Sequence, residues 1–268
     1  MKSVSENNLF SGVKKLCLSF ALLLHFAALG QGAAGGGSGD ARRHLFILSG
    51  QSNMTSGLAK AFTGTVEDAF GKENVTVAMS MKSGRGLRYW CSDYRYSDNH
   101  KPTEQEQIDN GSLYKPLIDA VKAAAGDKSF DTVTFIWMQG ESDAGKGRSD
   151  IYAENFLKLL NRLKADLKRE SIRFVIGRIS DHDMKDEKFP HWTKMREVQV
   201  NLAESHADGA WIDTDDLNGG EGASGGELHY TKAGSVTLGV RFATKAIEVI
   251  RSAQEASAPD TEVKKAAK

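Results

Sequence analysis

Five short apolar runs constrain the fold of this 268-residue chain more than any other feature. They are almost continuously apolar instead of alternating with polar residues, as expected of strands covered on both faces. Segments with helical spacing separate them, which predicts a three-layer α/β/α sandwich around a mostly parallel five-stranded sheet. The predicted strands are 44–48, 75–79, 132–138, 173–179 and 210–213, and the predicted helices are 113–125, 152–167, 192–205 and 231–252.

The two ends of the chain differ in composition from the middle. Residues 1–30 have the pattern of a secretory signal, with an apolar run too short to span a membrane. We predict a flexible linker at 31–42, one folded domain at 43–254 and a disordered tail at 255–268. The protein is therefore expected to be secreted or periplasmic, with no membrane association after signal cleavage.

Charge and cysteine content exclude several classes of partner. The chain has 35 basic and 35 acidic residues, so it has no basic surplus for nucleic acid. The acidic run at 213–216 lacks EF-hand spacing, and no His/Cys cluster has zinc spacing. We predict neither a metal nor a cofactor. After signal cleavage Cys91 would be the only cysteine, which excludes an intrachain disulfide. The sequence does not indicate the oligomeric state.

Three polar segments follow predicted strands or precede the last helix. Ser52 lies in a Gly-Gln-Ser-Asn-Met turn directly after the first strand. A Gln-Gly-Glu-Ser-Asp segment at 139–143 follows the third strand, and His229 precedes the last predicted helix. Because the carboxyl ends of parallel strands share one sheet edge, a serine there can face a substrate.

This combination of motifs resembles the SGNH hydrolase superfamily, in particular its sialate O-acetylesterase-like branch. That branch includes the acetylxylan esterases of carbohydrate esterase family six. The resemblance covers the chain from Phe46 to about Phe242 and implies a flavodoxin-like fold that hydrolyses acyl esters. It implies Ser52 as the nucleophile and His229 as the general base. The oxyanion would be bound by the backbone N–H groups of Ser52 and Gly84 and by the Gln139 side-chain amide.

The triad acid is the open position. The superfamily usually has an aspartate three residues before the histidine, where this chain has Gly226. Glu141 is the favoured alternative, and Glu227 and Asp143 are two others. A Ser–His dyad whose imidazole is oriented by a backbone carbonyl is also physically acceptable.

Residues beside the nucleophile and in the long polar segment 80–111 are predicted to bind substrate. They are Gln51, Asn53, Arg85, Arg88 and Trp90, of which Asn53 is also expected to brace the turn. Arginine and aromatic side chains suit a sugar, and no long apolar tract is present for a large acyl group. The predicted function is a carbohydrate O-acetylesterase acting on an acetylated polysaccharide or sugar. Two alternatives stay open: a lipid or aryl esterase of the same superfamily, and a catalytically inactive carbohydrate-binding module.

Overall fold

The central feature of the fold is a five-stranded sheet in which all neighbouring strands are parallel. The structure, a computed structural model, describes residues 42–219 and 227–257. The strands are β1 (His44–Gly50), β2 (Val75–Met81), β3 (Thr132–Met138), β4 (Arg173–Gly177) and β5 (Gly209–Ile212). Their order is β2-β1-β3-β4-β5, which is the flavodoxin-like order. The predicted fold class is confirmed.

Seven α-helices lie between or after these strands within the described residues. They are α1 (Ser56–Phe70), α2 (Glu104–Asp109), α3 (Tyr114–Ala125), α4 (Glu141–Gly145), α5 (Tyr152–Asp166), α6 (Trp192–Glu204) and α7 (Lys232–Ser257). None of the described helices is long and apolar enough to cross a membrane.

The sheet divides the interior into two apolar cores, one on each face. Alternate residues of each strand serve different cores, as the period of two in a strand requires. In β1, Leu45 and Ile47 pack with α3, α5 and α6, whereas Phe46 and Leu48 pack with α1 and α7. The three layers therefore follow from strands that are apolar on both faces.

The helices α1, α2 and α4 are absent from the predicted set. In α1 the buried residues are Leu58, Phe62, Val66 and Phe70, a spacing of four along one face. In α2 the Thr103 hydroxyl and the Glu106 carboxylate form a capping box at the start of a single polar turn. The segment predicted as one long loop thus has its own local structure.

Several predictions fall on residues outside the described ranges. These are the signal at 1–30, most of the linker, the predicted tail from residue 258 onward, and Gly226 ahead of the histidine. Helix α7 continues to Ser257, so the prediction that disorder begins at residue 255 is wrong for the first three residues.

The contact between α1 and α7 gives a prediction from two glycines. A Cβ added at Gly239 in α7 would stand 2.3 Å from the Leu58 carbonyl oxygen, whereas one at Gly64 in α1 meets nothing within 4 Å. We expect Gly239→Ala to lower the free energy of unfolding by about 1–3 kcal/mol through overpacking. Gly64→Ala should raise it by about 0.5–1 kcal/mol, because alanine is the better helix former. Urea unfolding measures both; an equal gain from both variants would contradict the close packing of α1 on α7.

Candidate active site

The turn that carries Ser52 is held tightly against the neighbouring strand. At Gly50 φ is +143°, and a Cβ there would lie 2.0 Å from the Met138 carbonyl oxygen, so only glycine fits. The next residue, Gln51, donates its backbone N–H to that same oxygen at 2.9 Å. Ser52 follows, half-buried, between the end of β1 and the start of α1. Rigid backbone behind the serine fixes where its hydroxyl can point.

The structure brings Ser52 and His229 together at this edge of the sheet. The Ser52 Oγ lies 2.9 Å from the His229 Nε2, although the two residues are 177 positions apart in sequence. The distance suits proton transfer between a nucleophile and a general base. His229 is exposed and lies in the segment 227–231, called here the base loop, which leads into α7.

Asn53 joins the nucleophile turn to the base loop. Its side-chain Nδ2 donates to the Leu228 carbonyl oxygen at 3.1 Å and to the Glu141 Oε1 at 2.8 Å. Its Oδ1 accepts the backbone N–H of Tyr230 at 3.4 Å. Asn53 is buried and both polar atoms of its side chain are engaged in these contacts, so it does not present its side chain to a substrate, contrary to the prediction. The expectation that it braces the turn fits these contacts.

The carboxylates predicted to orient His229 do not contact it. The Oε1 of Glu141 accepts from Asn53, and its Oε2 is buried without a hydrogen-bond partner. Burial raises the pKa of the Glu141 carboxyl group. Glu227 is exposed; its backbone N–H and C=O both bond to Asn218. Among the described residues, no carboxylate forms a hydrogen bond with His229, which corrects the assignment of either glutamate as a directly contacting acid.

Asp143 forms buried hydrogen bonds that support the nucleophile turn through Gln139. Its Oδ2 accepts the Leu87 backbone N–H and the Gln139 Nε2, each at 2.7 Å. Gln139 also donates to the Gln51 Oε1 at 3.2 Å. The side chain of Gln139 is 0 % exposed and both amide hydrogens are engaged. The prediction that Gln139 offers an oxyanion donor is therefore wrong in this arrangement, because it holds other residues in place.

The other two predicted oxyanion donors are not engaged in hydrogen bonds within the described structure. The backbone N–H groups of Ser52 and Gly84 donate to no acceptor among the described residues. Gly84 has φ of +67° in an exposed turn, a conformation that glycine adopts readily. The Gln51 Oε1 accepts from Gln139 and from the Ser142 N–H, which leaves its Nε2 without a partner in the described structure.

Of the three rim residues predicted after β2, only one is exposed. Arg85 is exposed and its guanidinium stacks on the Tyr89 ring, 4.8 Å from the centroid. Arg88 is buried and donates to the Glu106 carbonyl oxygen and the Asp109 carboxylate. Trp90 is 1 % exposed and packs edge-on against Trp137 at 5.2 Å between centroids. The prediction that Arg88 and Trp90 line a substrate cleft is wrong, because both are part of the interior.

The acidic run after β5 is a set of arginine pairs. Asp213 pairs with Arg178, Asp215 with Arg178 and Arg196, and Asp216 with Arg241. In the described ranges, no group of three or more His, Cys, Asp or Glu side chains could hold a metal ion. These pairs hold residues 213–216, directly after β5, against the arginines of neighbouring elements.

Comparison with known proteins identifies the family. A sequence profile described as carbohydrate esterase, sialic acid-specific acetylesterase, matches residues 57–248. The chain belongs to this family. It is therefore a member of a carboxylic ester hydrolase family, as the resemblance of its motifs implied. A search of curated protein sequences finds no significant match.

Solved structures of similar fold are distant in sequence. A protein from Arabidopsis thaliana has a TM-score of 0.58 and 16 % identity, over 77 % of this chain and 98 % of its own. A carbohydrate acetylesterase from Xanthomonas citri has a TM-score of 0.57 and 15 % identity, over 78 % of this chain and 57 % of its own. NanS has a TM-score of 0.52 and 13 % identity, over 81 % of this chain and 99 % of its own. At these identities the likeness concerns the fold.

Proposed function

We propose that this member of the carbohydrate esterase family is an O-acetylesterase that acts on an acetylated sugar or polysaccharide through Ser52 and His229. The observation that carries the proposal is the 2.9 Å separation of the Ser52 Oγ and the His229 Nε2 at the carboxyl edge of a parallel sheet. Membership of the family supports an acetylated carbohydrate as the substrate class.

In the proposed reaction the Ser52 Oγ attacks the acetyl carbonyl carbon while the His229 Nε2 takes the hydroxyl proton. The resulting oxyanion accepts hydrogen bonds from the backbone N–H groups of Ser52 and Gly84. When the C–O bond to the sugar breaks, His229 returns the proton to the departing alcohol. Water, deprotonated by His229, then attacks the acetyl-Ser52 ester, and acetate and free enzyme result.

The exposed Arg85 is the residue that we propose for substrate contact at the rim. Its guanidinium lies over the Tyr89 ring and donates to the Tyr89 hydroxyl at 3.2 Å, and among the described residues it forms no ion pair with a carboxylate. A guanidinium can donate several hydrogen bonds to sugar hydroxyl groups or to a carboxylate. Gln51 is a second candidate: it is also buried, but unlike Asn53 it keeps a side-chain donor, the Nε2, that has no partner in the described structure.

Acetate release from several ester classes tests the proposal. Purified protein should be incubated with acetylated xylan, O-acetylated sialic acid and a set of aryl esters from acetyl to octanoyl. We expect acetate release from at least one acetylated glycan and a preference for the acetyl member of the aryl series. Preference for the longest acyl chain would indicate a lipid or aryl esterase. Glycan binding with no hydrolysis of any ester would indicate a binding module.

We also propose that residues 1–30 direct export. The support is the order of a polar start, two lysines and an apolar run. Expression of the full chain in a bacterial host, followed by amino-terminal sequencing of the exported fraction, tests this. We expect the mature chain to begin close to residue 31; recovery of uncleaved protein in the cytoplasm would contradict it.

A further inference from the structure

The base loop is fixed through its backbone on both sides of the histidine. Before His229, the Leu228 carbonyl oxygen accepts from Asn53. After it, the Tyr230 backbone N–H donates to the same Asn53 side chain. The imidazole itself bonds to Ser52 and to no other described residue. Its position is thus set by the chain that carries it.

We propose that Glu141 is a positioning residue that holds His229 in place through Asn53, and not an acid that contacts the imidazole. The proposal rests on the proposed function, since it assigns a role within that same site. It identifies Asn53 and Glu141 as one unit that joins three segments: the nucleophile turn, the start of α4 and the base loop.

Glu141 determines the orientation of the Asn53 side-chain amide. The Glu141 Oε1 acts as a hydrogen-bond acceptor toward Asn53, so the Asn53 Nδ2 must face it and the Oδ1 must face the other way. That orientation presents a donor to the Leu228 carbonyl and an acceptor to the Tyr230 N–H, which are the two groups the base loop offers. With the amide reversed, both contacts would be lost.

The Asn53–Glu141 hydrogen bond is buried, so water does not readily replace either partner. Glu141 and Asn53 are each 3 % exposed, and their mutual hydrogen bond is buried. A buried amide that loses its partner stays unsatisfied or turns to find another. The rest of the base loop is held independently: the Tyr230 hydroxyl donates to Thr214, and Glu227 bonds to Asn218 through its backbone. Loss of the Asn53 contacts should therefore shift the histidine without unfolding the loop.

Four variants separate this role from that of a directly contacting acid. Glu141→Gln keeps an acceptor oxygen for Asn53 but removes the charge, whereas Glu141→Ala and Asn53→Ala remove the contact. We expect Glu141→Gln to retain kcat within about tenfold of wild type, because the hydrogen bond persists. Each alanine variant should lower kcat by about 100-fold, the scale of a displacement near 1 Å. The double alanine variant should be no worse than either single one, since both remove one interaction.

A matched control variant and a second measurement distinguish a positioning role from a general loss of stability. Asn155→Ala removes another fully buried asparagine, which bonds to Arg95 and Ile151 and to nothing in the site. It should lower thermal stability and leave kcat near wild type. Nitrogen-15 NMR of the His229 ring reports its hydrogen bond to Ser52 without any turnover. We expect an unchanged Nε2 signal in Glu141→Gln and a shifted one in both alanine variants.

Two results would overturn the proposal. The first is a fall in kcat of about 10⁴-fold in Glu141→Gln with a displaced pH profile, which is the scale seen when a triad acid loses its charge. The second is an unchanged His229 signal in Asn53→Ala. Failure of the wild type to hydrolyse any acetyl ester would instead contradict the proposed function, and the NMR comparison would still decide the positioning role.

Discussion

Replacement of Ser52 by alanine is expected to lower kcat for acetyl-ester hydrolysis by about 10⁴–10⁶-fold, with little change in stability. Within the described part of the chain, the Ser52 hydroxyl is the group that forms a hydrogen bond with the His229 ring, at 2.9 Å. Its removal eliminates the covalent route. Because the site is only half-buried, the alanine methyl group should change the free energy of unfolding little. Steady-state hydrolysis of a small aryl acetate and thermal unfolding measure the two quantities.

The His229→Ala variant completes this prediction. It should lose activity on the same scale, and the Ser52→Ala/His229→Ala double variant should be no less active than either single one, because residues that act as one unit are strongly non-additive. Losses that simply add would mean that the two side chains work independently. Full activity of His229→Ala would point to another base.

The second large effect is expected at Asp143. Asp143→Ala leaves the Leu87 N–H and the Gln139 amide without their shared acceptor. Gln139 in turn donates to the side chain of Gln51, the residue before Ser52. The variant therefore weakens the support of two segments, the nucleophile turn and the segment that leads to Leu87. We expect kcat to fall by about 100–1000-fold, comparable to the loss of one oxyanion donor. Stability should fall by about 1–3 kcal/mol, because buried donors become unsatisfied.

Two further variants show whether the effect runs through this hydrogen bonding. Asp143→Asn keeps one acceptor oxygen and should lose much less activity than Asp143→Ala. Gly86→Ala acts from the other side: its Cβ would stand 3.1 Å from both Asp143 carboxylate oxygens and should displace them. The measurements are kcat, KM and urea unfolding for each variant. Wild-type kcat in Asp143→Ala would show that Asp143 has no part in arranging the site.

The sheet was predictable because its signal is local. Each strand of this fold is apolar on both faces, so an uninterrupted apolar run identifies it without knowledge of its neighbours. The prediction for β3 matches the observed Thr132–Met138, and the other strands differ by one or two residues at their ends. The signals for α1 and α2 were also present, as a spacing of four in Leu58, Phe62, Val66 and Phe70 and as the Thr103–Glu106 capping box.

The roles of the site residues were less predictable, because they depend on pairs far apart in sequence. The motifs place Glu141, Gln139 and Asp143 in one segment but do not say which faces His229. In the structure the partners of Glu141 and Gln139 are Asn53 and Gln51, each 88 positions away. Trp90 is a second example of a partner that is distant in sequence. Its aromatic side chain suggested a sugar-binding surface, but in the structure the indole packs on Trp137.

The central claim is that Ser52 forms a covalent intermediate with His229 as its base. The most direct test is to treat the protein with a fluorophosphonate that mimics the tetrahedral intermediate and to map the modified residue by peptide mass spectrometry. The account predicts stoichiometric modification at Ser52, slow modification in His229→Ala and none in Ser52→Ala. Modification at another residue, or acetate release by a protein whose Ser52 is not modified, would contradict it.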